Sequence, residues 1–418
     1  MNSLSELLTQ HYSKLPQRAL NPGECQTVNK KQCTLCFAGR IDYSTELSHK
    51  QKAVTEFLHG LKIGVPIRPF IASPAGRLYR TVSKRKAFLV NRQFSLGLIG
   101  VEEDTLKNFP LMVGHCVIEP KIHSDVYRVM QDYLQKKEHL SIAEEFNYAI
   151  VKGNDAEAAV IFNMNHFSSA NRKEVNNLSK HLTHKVKNVA GVFVFTDEER
   201  SKYYLRGNPR KDDRVNPKPL TKIFGKEKLF HKVGNVKFLH SPLSFSQTNH
   251  SILESFTTTA KNFLALTKND TLVDLYCGYG LFTLSLASDV RKTIGIEMSR
   301  TSIHDAVDNI RINKITNAAF IAADITSATL RKYLKPETSN LKVLLDPPRS
   351  GTAEGVIELI ADRKPEKVLH IFCNADIIEK ELKRWGKSGY TPAAVQPFDM
   401  FPGTGEIEVM VLLHKAKN

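Results

Sequence analysis

Apolar runs and helical stretches alternate along the C-terminal half of the chain. The runs "TLVDLYCGYG", "KVLLDPP" and "KVLHIFC" each have the pattern of a buried strand, and each is followed by apolar positions that recur with helical spacing. Such alternation predicts an α/β fold, in which a mostly parallel sheet carries helices on both faces. The last two strand patterns, 390–398 and 406–413, have no helix between them, so we expect them to pair antiparallel.

The N-terminal half is less regular. Residues 146–165 predict a β-hairpin with a Gly-Asn-Asp sequence near its turn, and residues 125–137 and 174–186 have the spacing of amphipathic helices. Residues 190–197 and 202–207 are further strand candidates, so this half predicts an α+β domain. We place a boundary near 231–245, which divides the chain into three parts: 1–45, 46–235 and 236–418.

The positive charge is concentrated in one half of the molecule. The 418 residues carry a net charge of +16, of which residues 236–418 contribute +2 and residues 1–235 contribute +14. An excess confined to one half favours a surface that binds a polyanion, and nucleic acid is the polyanion we expect. The sequence has no apolar run of membrane-spanning length and no signal-peptide pattern, so we expect a cytoplasmic protein. We also expect a monomer.

A glycine-containing turn indicates a nucleoside-binding site. In "VDLYCGYGLF", Gly278 and Gly280 follow a predicted strand and open a predicted helix, and Glu297 ends the next strand. An acid in that position typically binds ribose hydroxyls. The turn lacks the third glycine expected where a backbone approaches a pyrophosphate, and this absence favours S-adenosylmethionine over a dinucleotide.

Two more motifs lie at the same predicted edge of the sheet. Asp346 and two prolines end one strand in "LLDPPRSG", and Cys373 ends the next strand in "HIFCNAD". A lone thiol is most often a small buried hydrophobic group. At the carboxyl ends of parallel strands, where such sheets bind ligands, it becomes a candidate nucleophile.

Six motifs together resemble the RNA uracil-C5 methyltransferase family, and they span most of the C-terminal half. They are "FSQTN" at 245–249, "DLYCGYGLF", "GIE", "LLDPPRSG", "FCNAD" and "FDMFPGTGEIEVMVLL". The resemblance implies a Rossmann-like S-adenosylmethionine-dependent methyltransferase domain. It implies that Cys373 is the nucleophile and Glu408 the base. It also implies cofactor-binding roles for Gln247, Tyr276, Glu297 and Asp346.

The expected reaction requires a thiol and a base. Addition of a thiolate to C6 of uracil makes C5 electron-rich, so that C5 can accept a methyl group. A carboxylate must then remove the C5 proton before the thiolate can leave. Where the family often has a histidine, two positions before the base, this chain has Glu406. We expect Glu406 and Glu408 to point the same way on a strand. Either could be the base, or Glu406 could raise the pKa of Glu408, and position after the motif favours Glu408.

The remaining cysteines suggest a metal site. Cys25, Cys33 and Cys36 lie close together, and Cys116 is a distant fourth. Their spacing does not separate a zinc site from an iron–sulfur cluster. The sequence also resembles the branch of the family that carries a 4Fe-4S cluster, and that resemblance implies the cluster. That branch includes an enzyme that methylates large-subunit ribosomal RNA.

The leading hypothesis is therefore a uridine-C5 methyltransferase that acts on structured RNA, with 23S ribosomal RNA preferred as the substrate. The alternatives are the T-loop uridine of transfer RNA and a catalytically inert iron–sulfur protein that binds RNA. An exocyclic-amine methyltransferase is disfavoured because Arg349, and not an aromatic residue, follows the two prolines. A cytosine-C5 enzyme would more often place its thiol beside those prolines.

Overall fold

The structure is a computed structural model that describes residues 3–15, 41–101, 108–198, 220–335 and 339–416. Within these residues, the strands form two seven-stranded sheets and one two-stranded sheet. Among the described helices, none combines the length and the apolar character that crossing a membrane requires.

The C-terminal sheet has the order β12-β11-β10-β13-β14-β16-β15. Its strands are β10 (Thr271–Leu275), β11 (Lys292–Glu297), β12 (Ala318–Ala322), β13 (Leu341–Leu345), β14 (Lys367–Phe372), β15 (Tyr390–Phe398) and β16 (Glu408–Lys415). Strands β10 to β14 are parallel, whereas β16 runs antiparallel to both β14 and β15. The expected α/β fold with an antiparallel final pair is confirmed.

Both faces of this sheet are buried. Val273 and Val343 contribute to the core on one face, whereas Leu272, Leu344 and Leu369 contribute to the core on the other. Continuous apolar strands are expected where helices cover both faces. The helices of this part are α6 (Leu253–Leu264), α7 (Leu281–Ser285), α8 (Arg300–Asn313), α9 (Ser327–Tyr333), α10 (Val356–Asp362) and α11 (Ile378–Lys387).

The N-terminal sheet has the order β3-β2-β1-β4-β5-β6-β7. Its strands are β1 (Val82–Val90), β2 (Gln93–Val101), β3 (Asn108–Leu111), β4 (Phe146–Asn154), β5 (Glu157–Met164), β6 (Val189–Thr196) and β7 (Thr221–Gly225). The predicted hairpin forms β4 and β5, which pair antiparallel across the turn after Asn154. The strand predicted at 202–207 lies outside the described residues.

Helices cover one face of the N-terminal sheet. They are α3 (Lys121–Leu134), the short α4 (Leu140–Ala143) and α5 (Arg172–Lys185), and both predicted amphipathic helices fall within α3 and α5 to within a few residues. The opposite face buries Tyr148, Ile161 and Phe193 against Leu229 of β8 (Leu229–Val233). Strand β8 pairs with β9 (Val236–His240), and this hairpin connects the two sheets.

The first two helices pack on the C-terminal sheet. Helices α1 (Leu4–Ser13) and α2 (Tyr43–Gly60) contribute Leu8, Val54 and Phe57 to the core that also contains Val273 and Val343. The domain division predicted from the sequence assigns residues 46–235 to the basic domain, whereas α2 packs in the core of the C-terminal unit. The apolar stripe of α2 shows that one face of the helix must be buried, but it does not specify which sheet will bury that face.

The segment after α2 covers the outer edge of that sheet. The Arg68 N–H donates to the Val395 carbonyl at 2.9 Å, and the Ile71 N–H donates to the Pro397 carbonyl at 3.0 Å. An uncovered edge strand would present unpaired backbone groups. The described N-terminal helices and this segment therefore belong physically to the C-terminal unit.

A buried ion pair connects α2 to the loop between β15 and β16. Lys50 Nζ lies 2.7 Å from Asp399 Oδ1, and both side chains are 0% exposed. Lys50 also donates to the Phe401 carbonyl at 3.0 Å, and the Tyr43 hydroxyl donates to Asp399 Oδ2 at 3.0 Å. These contacts restrain the residues that precede β16.

Substitution Lys50→Met should destabilise the C-terminal unit by about 3–5 kcal/mol, because it leaves the Asp399 carboxylate buried without its cation. Urea unfolding followed by fluorescence tests this. The chain has one tryptophan, and Trp385 lies in the core that α2 helps to form.

Lys383→Met is the matched control, since its partner Glu379 lies 2.6 Å away but both side chains are exposed. This variant should unfold at the wild-type urea concentration. Equal midpoints for the Lys50→Met and Lys383→Met proteins would show that the buried pair does not stabilise the fold.

Candidate functional site

The residues predicted for the site meet at one rim of the C-terminal sheet. Tyr276 follows β10, Glu297 ends β11, Asp346 follows β13 and Cys373 follows β14. The carboxyl ends of parallel strands lie at the same edge, so these side chains share one rim. Gln247, from the segment between β9 and α6, reaches the same place, where its Nε2 lies 3.4 Å from Asp346 Oδ2.

Strand pairing sets Glu408 beside Cys373. In the antiparallel ladder of β14 and β16, Phe372 is opposite Val409. Continuing that register by one residue places Cys373 opposite Glu408, the first residue of β16. Directly opposed residues have Cβ atoms about 4.5–5.5 Å apart, which brings thiol and carboxyl groups to the same face.

The expectation that Glu406 and Glu408 point the same way rests on strand alternation, which does not extend to Glu406. Strand β16 begins at Glu408, so Glu406 lies in the preceding loop, where strand alternation does not apply. Glu408 is only 2% exposed. The Glu406 side chain is 45% exposed and forms an ion pair with Arg349 at 2.8 Å.

Burial and neighbouring acids keep the resting thiol protonated. The pKa of Cys373 rises to about 12, first because the thiol is buried and then because of the charges of Glu408 and Asp346. Arg349 acts in the opposite direction and lowers that pKa. The Cys373 Sγ also lies 3.7 Å from the Pro347 carbonyl, which accepts a weak hydrogen bond from a thiol but would repel a thiolate.

Acidic groups also gather where the predicted cofactor turn begins. Burial, together with the charge of Asp274, raises the pKa of Asp346 to about 7. Burial likewise raises the pKa of Asp274 to about 7, although Thr283 donates to its Oδ2 through its backbone N–H at 2.9 Å and through its hydroxyl at 2.6 Å. Among the described residues, Asp274 Oδ1 has no hydrogen-bond partner. This rim suits a positively charged ligand.

The turn that follows Asp274 leaves room for a ligand. Gly278 has φ +55°, and a Cβ atom at that position would meet no atom within 4 Å. At Gly280, with φ +93°, a Cβ atom would lie 2.7 Å from Phe320, so this glycine is required by packing. The Gly278 N–H donates to Glu297 Oε2 at 3.2 Å, and this bond connects the turn to the end of β11.

Sequence reasoning did not assign three groups of this site. Asp274 opens the glycine motif, but sequence gives no measure of its burial. Arg349 follows the two prolines, and its partner is 57 residues away in the chain. Glu381, in α11, accepts hydrogen bonds from the Thr352 backbone at 3.1 Å and hydroxyl at 2.6 Å, and thereby holds the loop that carries Arg349.

The predicted metal ligands are described only in part. Cys25, Cys33 and Cys36 lie outside the described residues, whereas Cys116 is half-buried beside the apolar cluster of Tyr79, Val117 and Ile118. Within the described residues, no group of three or more His, Cys, Asp or Glu side chains is arranged to hold a metal ion. The cluster stays a prediction.

Comparison with known proteins gives a consistent result. Residues 224–416 match the family model described as tRNA (Uracil-5-)-methyltransferase. An uncharacterized RNA methyltransferase of Bacillus cereus is 26% identical over 416 residues, which covers 94% of this chain and 83% of the relative. The 23S rRNA (uracil(1939)-C(5))-methyltransferase RlmD of Marinomonas sp. is 34% identical over 188 residues, which covers 45% of this chain and 42% of the relative.

One solved structure has the same fold. It is the Pyrococcus abyssi tRNA (uracil-54, C5)-methyltransferase in complex with S-adenosyl-L-homocysteine, with a TM-score of 0.64 and 18% identity. The match covers 89% of this chain and 84% of that one. The expected Rossmann-like α/β fold is thereby confirmed.

Substitution Glu408→Gln should make Cys373 more reactive in the resting protein. The charge of Glu408 raises the pKa of the thiol, so its removal lowers that pKa and increases the thiolate fraction at a fixed pH. We expect alkylation by iodoacetamide at about pH 8.5 to be roughly two- to tenfold faster, measured on the Cys373 peptide by mass spectrometry.

The control is Glu379→Gln, which removes an exposed carboxylate from α11 and should leave the alkylation rate unchanged. A Glu408→Gln protein that reacts at the wild-type rate would show that the carboxyl group does not act on the thiol.

Proposed function

We propose that the chain is an RNA (uracil-C5) methyltransferase, which transfers a methyl group from S-adenosylmethionine to C5 of a uridine in structured RNA; the family model that matches residues 224–416 and the RNA methyltransferases among its relatives support this. The observation that carries this proposal is the opposition of Cys373 and Glu408 on β14 and β16 at the ligand-binding rim. A thiol and a buried carboxyl group on the same face are the two groups that the reaction requires.

The acids at the rim fit the cofactor. S-adenosylmethionine carries a positive sulfonium and a positive ammonium group, and Asp274 and Asp346 are buried acids whose raised pKa values indicate that they lack a nearby cation. Asp274 Oδ1 has no partner within the described residues. The open space at Gly278 allows a ligand to approach the backbone. When bound, the cofactor supplies an electrophilic methyl group.

The proposed holding residues are Gln247, Tyr276, Glu297 and Asp346. Glu297 is fixed by two backbone donors, Gly278 at 3.2 Å and Ser299 at 2.7 Å. Each carboxylate oxygen can accept more than one hydrogen bond, so Glu297 retains the capacity to accept bonds from ribose hydroxyls. Its orientation is set before any ligand binds.

In the proposed mechanism, Cys373 acts first. Its thiolate forms a bond to C6 of uracil, and the electron pair of the C5–C6 double bond shifts toward C5 and the O4 carbonyl. After C5 has been methylated, the Glu408 carboxylate removes the C5 proton. The electron pair of that C–H bond re-forms the C5–C6 double bond, and the bond from C6 to sulfur breaks.

The environment of Glu408 suits a base. Burial and then the charge of Asp346 raise the pKa of Glu408 well above its ordinary value, although Arg349 lowers it. A carboxylate with a raised pKa is a stronger base toward a carbon-bound proton. Glu408 Oε2 has no hydrogen-bond partner in the described part of the chain, so this oxygen is available.

The RNA substrate is proposed from charge and from the relatives. The +14 excess in residues 1–235 suits a polyanion, and the Marinomonas relative is named for 23S ribosomal RNA. We therefore prefer ribosomal RNA to a transfer RNA T-loop. Mass spectrometry of ribosomal and transfer RNA from cells that lack this chain tests the choice, because loss of 5-methyluridine from only one RNA identifies the substrate.

Substitution Glu408→Gln should trap the protein on its RNA. Addition and methylation precede the step that needs the base, so the variant should accumulate a covalent adduct between Cys373 and methylated RNA that survives denaturant. Gel electrophoresis after incubation with RNA and S-adenosylmethionine detects it.

Cys373→Ala supplies the control, since it should lose turnover, bind S-adenosylmethionine normally and abolish the adduct when combined with Glu408→Gln. Appreciable methylation by the Cys373→Ala protein would exclude covalent catalysis through Cys373. An inert RNA-binding protein would show no turnover in the wild type.

We also propose a 4Fe-4S cluster held by Cys25, Cys33, Cys36 and Cys116. The cysteine spacing supports a metal site, and the sequence resemblance favours the cluster over zinc. Anaerobically purified protein should contain about four iron atoms per chain, and Cys116→Ser should lose most of that iron.

The matched control is Cys373→Ala, which also removes one thiol but should keep wild-type iron. Metal analysis distinguishes the outcomes directly. Stoichiometric zinc without iron would replace the cluster by a structural zinc site.

A further inference from the structure

Arg349 and Glu406 form a two-point contact at the mouth of the site. Arg349 Nη2 lies 2.8 Å from Glu406 Oε2, and Nη1 donates to Glu406 Oε1 at 3.2 Å. A guanidinium that binds both oxygens of a carboxylate is fixed in direction as well as in distance. The contact joins the loop after β13 to the residues that precede β16.

The backbone of Arg349 is anchored independently. Asn374 Nδ2 donates to the Arg349 carbonyl at 3.1 Å, and Asn374 is the neighbour of Cys373 in the chain. The main chain at Arg349 is therefore held beside the thiol, whereas its long side chain depends on Glu406 for its direction.

The charged groups around Cys373 explain why that direction matters. Glu408 faces the thiol from β16, Asp346 faces it from the end of β13, and both raise the pKa of the thiol. Arg349 opposes them, and it lowers the pKa of Cys373 and of Glu408. Its positive charge favours the thiolate only while the guanidinium stays close.

Without Glu406, the Arg349 guanidinium would lose the contacts that hold it near the thiol. The Arg349 side chain is 60% exposed, so water is an available partner. In the described part of the chain, both hydrogen-bonding contacts of the Arg349 guanidinium go to the Glu406 carboxylate. Solvation of the side chain would move the positive charge away from the thiol.

We propose that Glu406 is a positioning residue, whose bidentate contact holds Arg349 beside the Cys373–Glu408 pair. Its consequence for catalysis rests on the proposed function, in which Cys373 is the nucleophile. The contact itself does not depend on that function, so the two are tested separately.

The test is the rate at which iodoacetamide alkylates Cys373 in the resting protein, at a fixed pH of about 8.5, followed on the Cys373 peptide by mass spectrometry. We expect Glu406→Gln to react about two- to fivefold more slowly than wild type, with the effect limited by solvent screening of an exposed pair. Arg349→Gln should react as slowly, and the double variant no more slowly than Arg349→Gln alone.

The direction of the change is decisive. If Glu406 acted on the thiol only through its own negative charge, its removal would make alkylation faster, as expected for Glu408→Gln. A Glu406→Gln protein that reacts at the wild-type rate or faster would overturn the proposal. Glu379→Gln is the matched control, with a side chain 49% exposed against 45% for Glu406, and it should react at the wild-type rate.

Two further measurements separate positioning from loss of folding and from the proposed function. Trp385 fluorescence should be unchanged in every variant, and Glu406→Asp, which keeps the charge, should recover part of the alkylation rate. Methylation by Glu406→Gln should fall with the alkylation rate and recover as the pH is raised. Slower alkylation with unchanged methylation would support the positioning role and refute Cys373 as the nucleophile.

Discussion

The site depends on the direction of one strand. Strand β16 is inserted antiparallel between β14 and β15, so its amino end lies at the rim where the parallel strands have their carboxyl ends. Were β16 parallel to β14, its first residue, Glu408, would lie at the opposite edge of the sheet, about 20 Å away for a strand of this length. Antiparallel pairing instead places Glu408 in the register position next to Cys373. Cys373 and Glu408, the proposed nucleophile and base, are thus brought together by the backbone hydrogen bonds of β14 and β16.

The loop before β16 requires its own restraint, and the N-terminal helices provide it. The Lys50–Asp399 ion pair is fully buried, and the Tyr79 hydroxyl donates to the Pro402 carbonyl at 2.8 Å. A buried ion pair stabilises a fold weakly compared with an apolar replacement, because both charges must be desolvated. Its directional contacts fix the position of the loop, which hydrophobic packing alone does not. Helix α2 is therefore part of the C-terminal unit, although nearly 350 residues separate Lys50 from Asp399.

The sequence predicts those features that local pattern determines. Strand β14 and the hairpin of β4 and β5 are apolar runs bounded by turn residues, and they are buried along nearly their whole length. The location of α2 could not be predicted, because an apolar stripe does not identify the surface that buries it. The orientation of Glu406 could not be predicted either. The pattern "EIEVMV" alternates from its first residue, yet pairing begins two residues later, and strand ends are the least predictable part of a pattern.

The chemistry of the rim follows from the low polarity of its surroundings. Asp274, Asp346 and Glu408 are acids whose pKa values are raised by burial, and the Cys373 thiol shares that environment. In these surroundings of low polarity, the charge of one ionised group raises the pKa of the neighbouring acids and of the thiol. A cation that binds against Asp346 reverses this effect, because it stabilises the ionised carboxylate and lowers the cost of a nearby thiolate. By linkage, ionisation of the thiol then strengthens binding of the cation. Under the proposed function, binding of a positively charged cofactor and ionisation of Cys373 would thus favour each other.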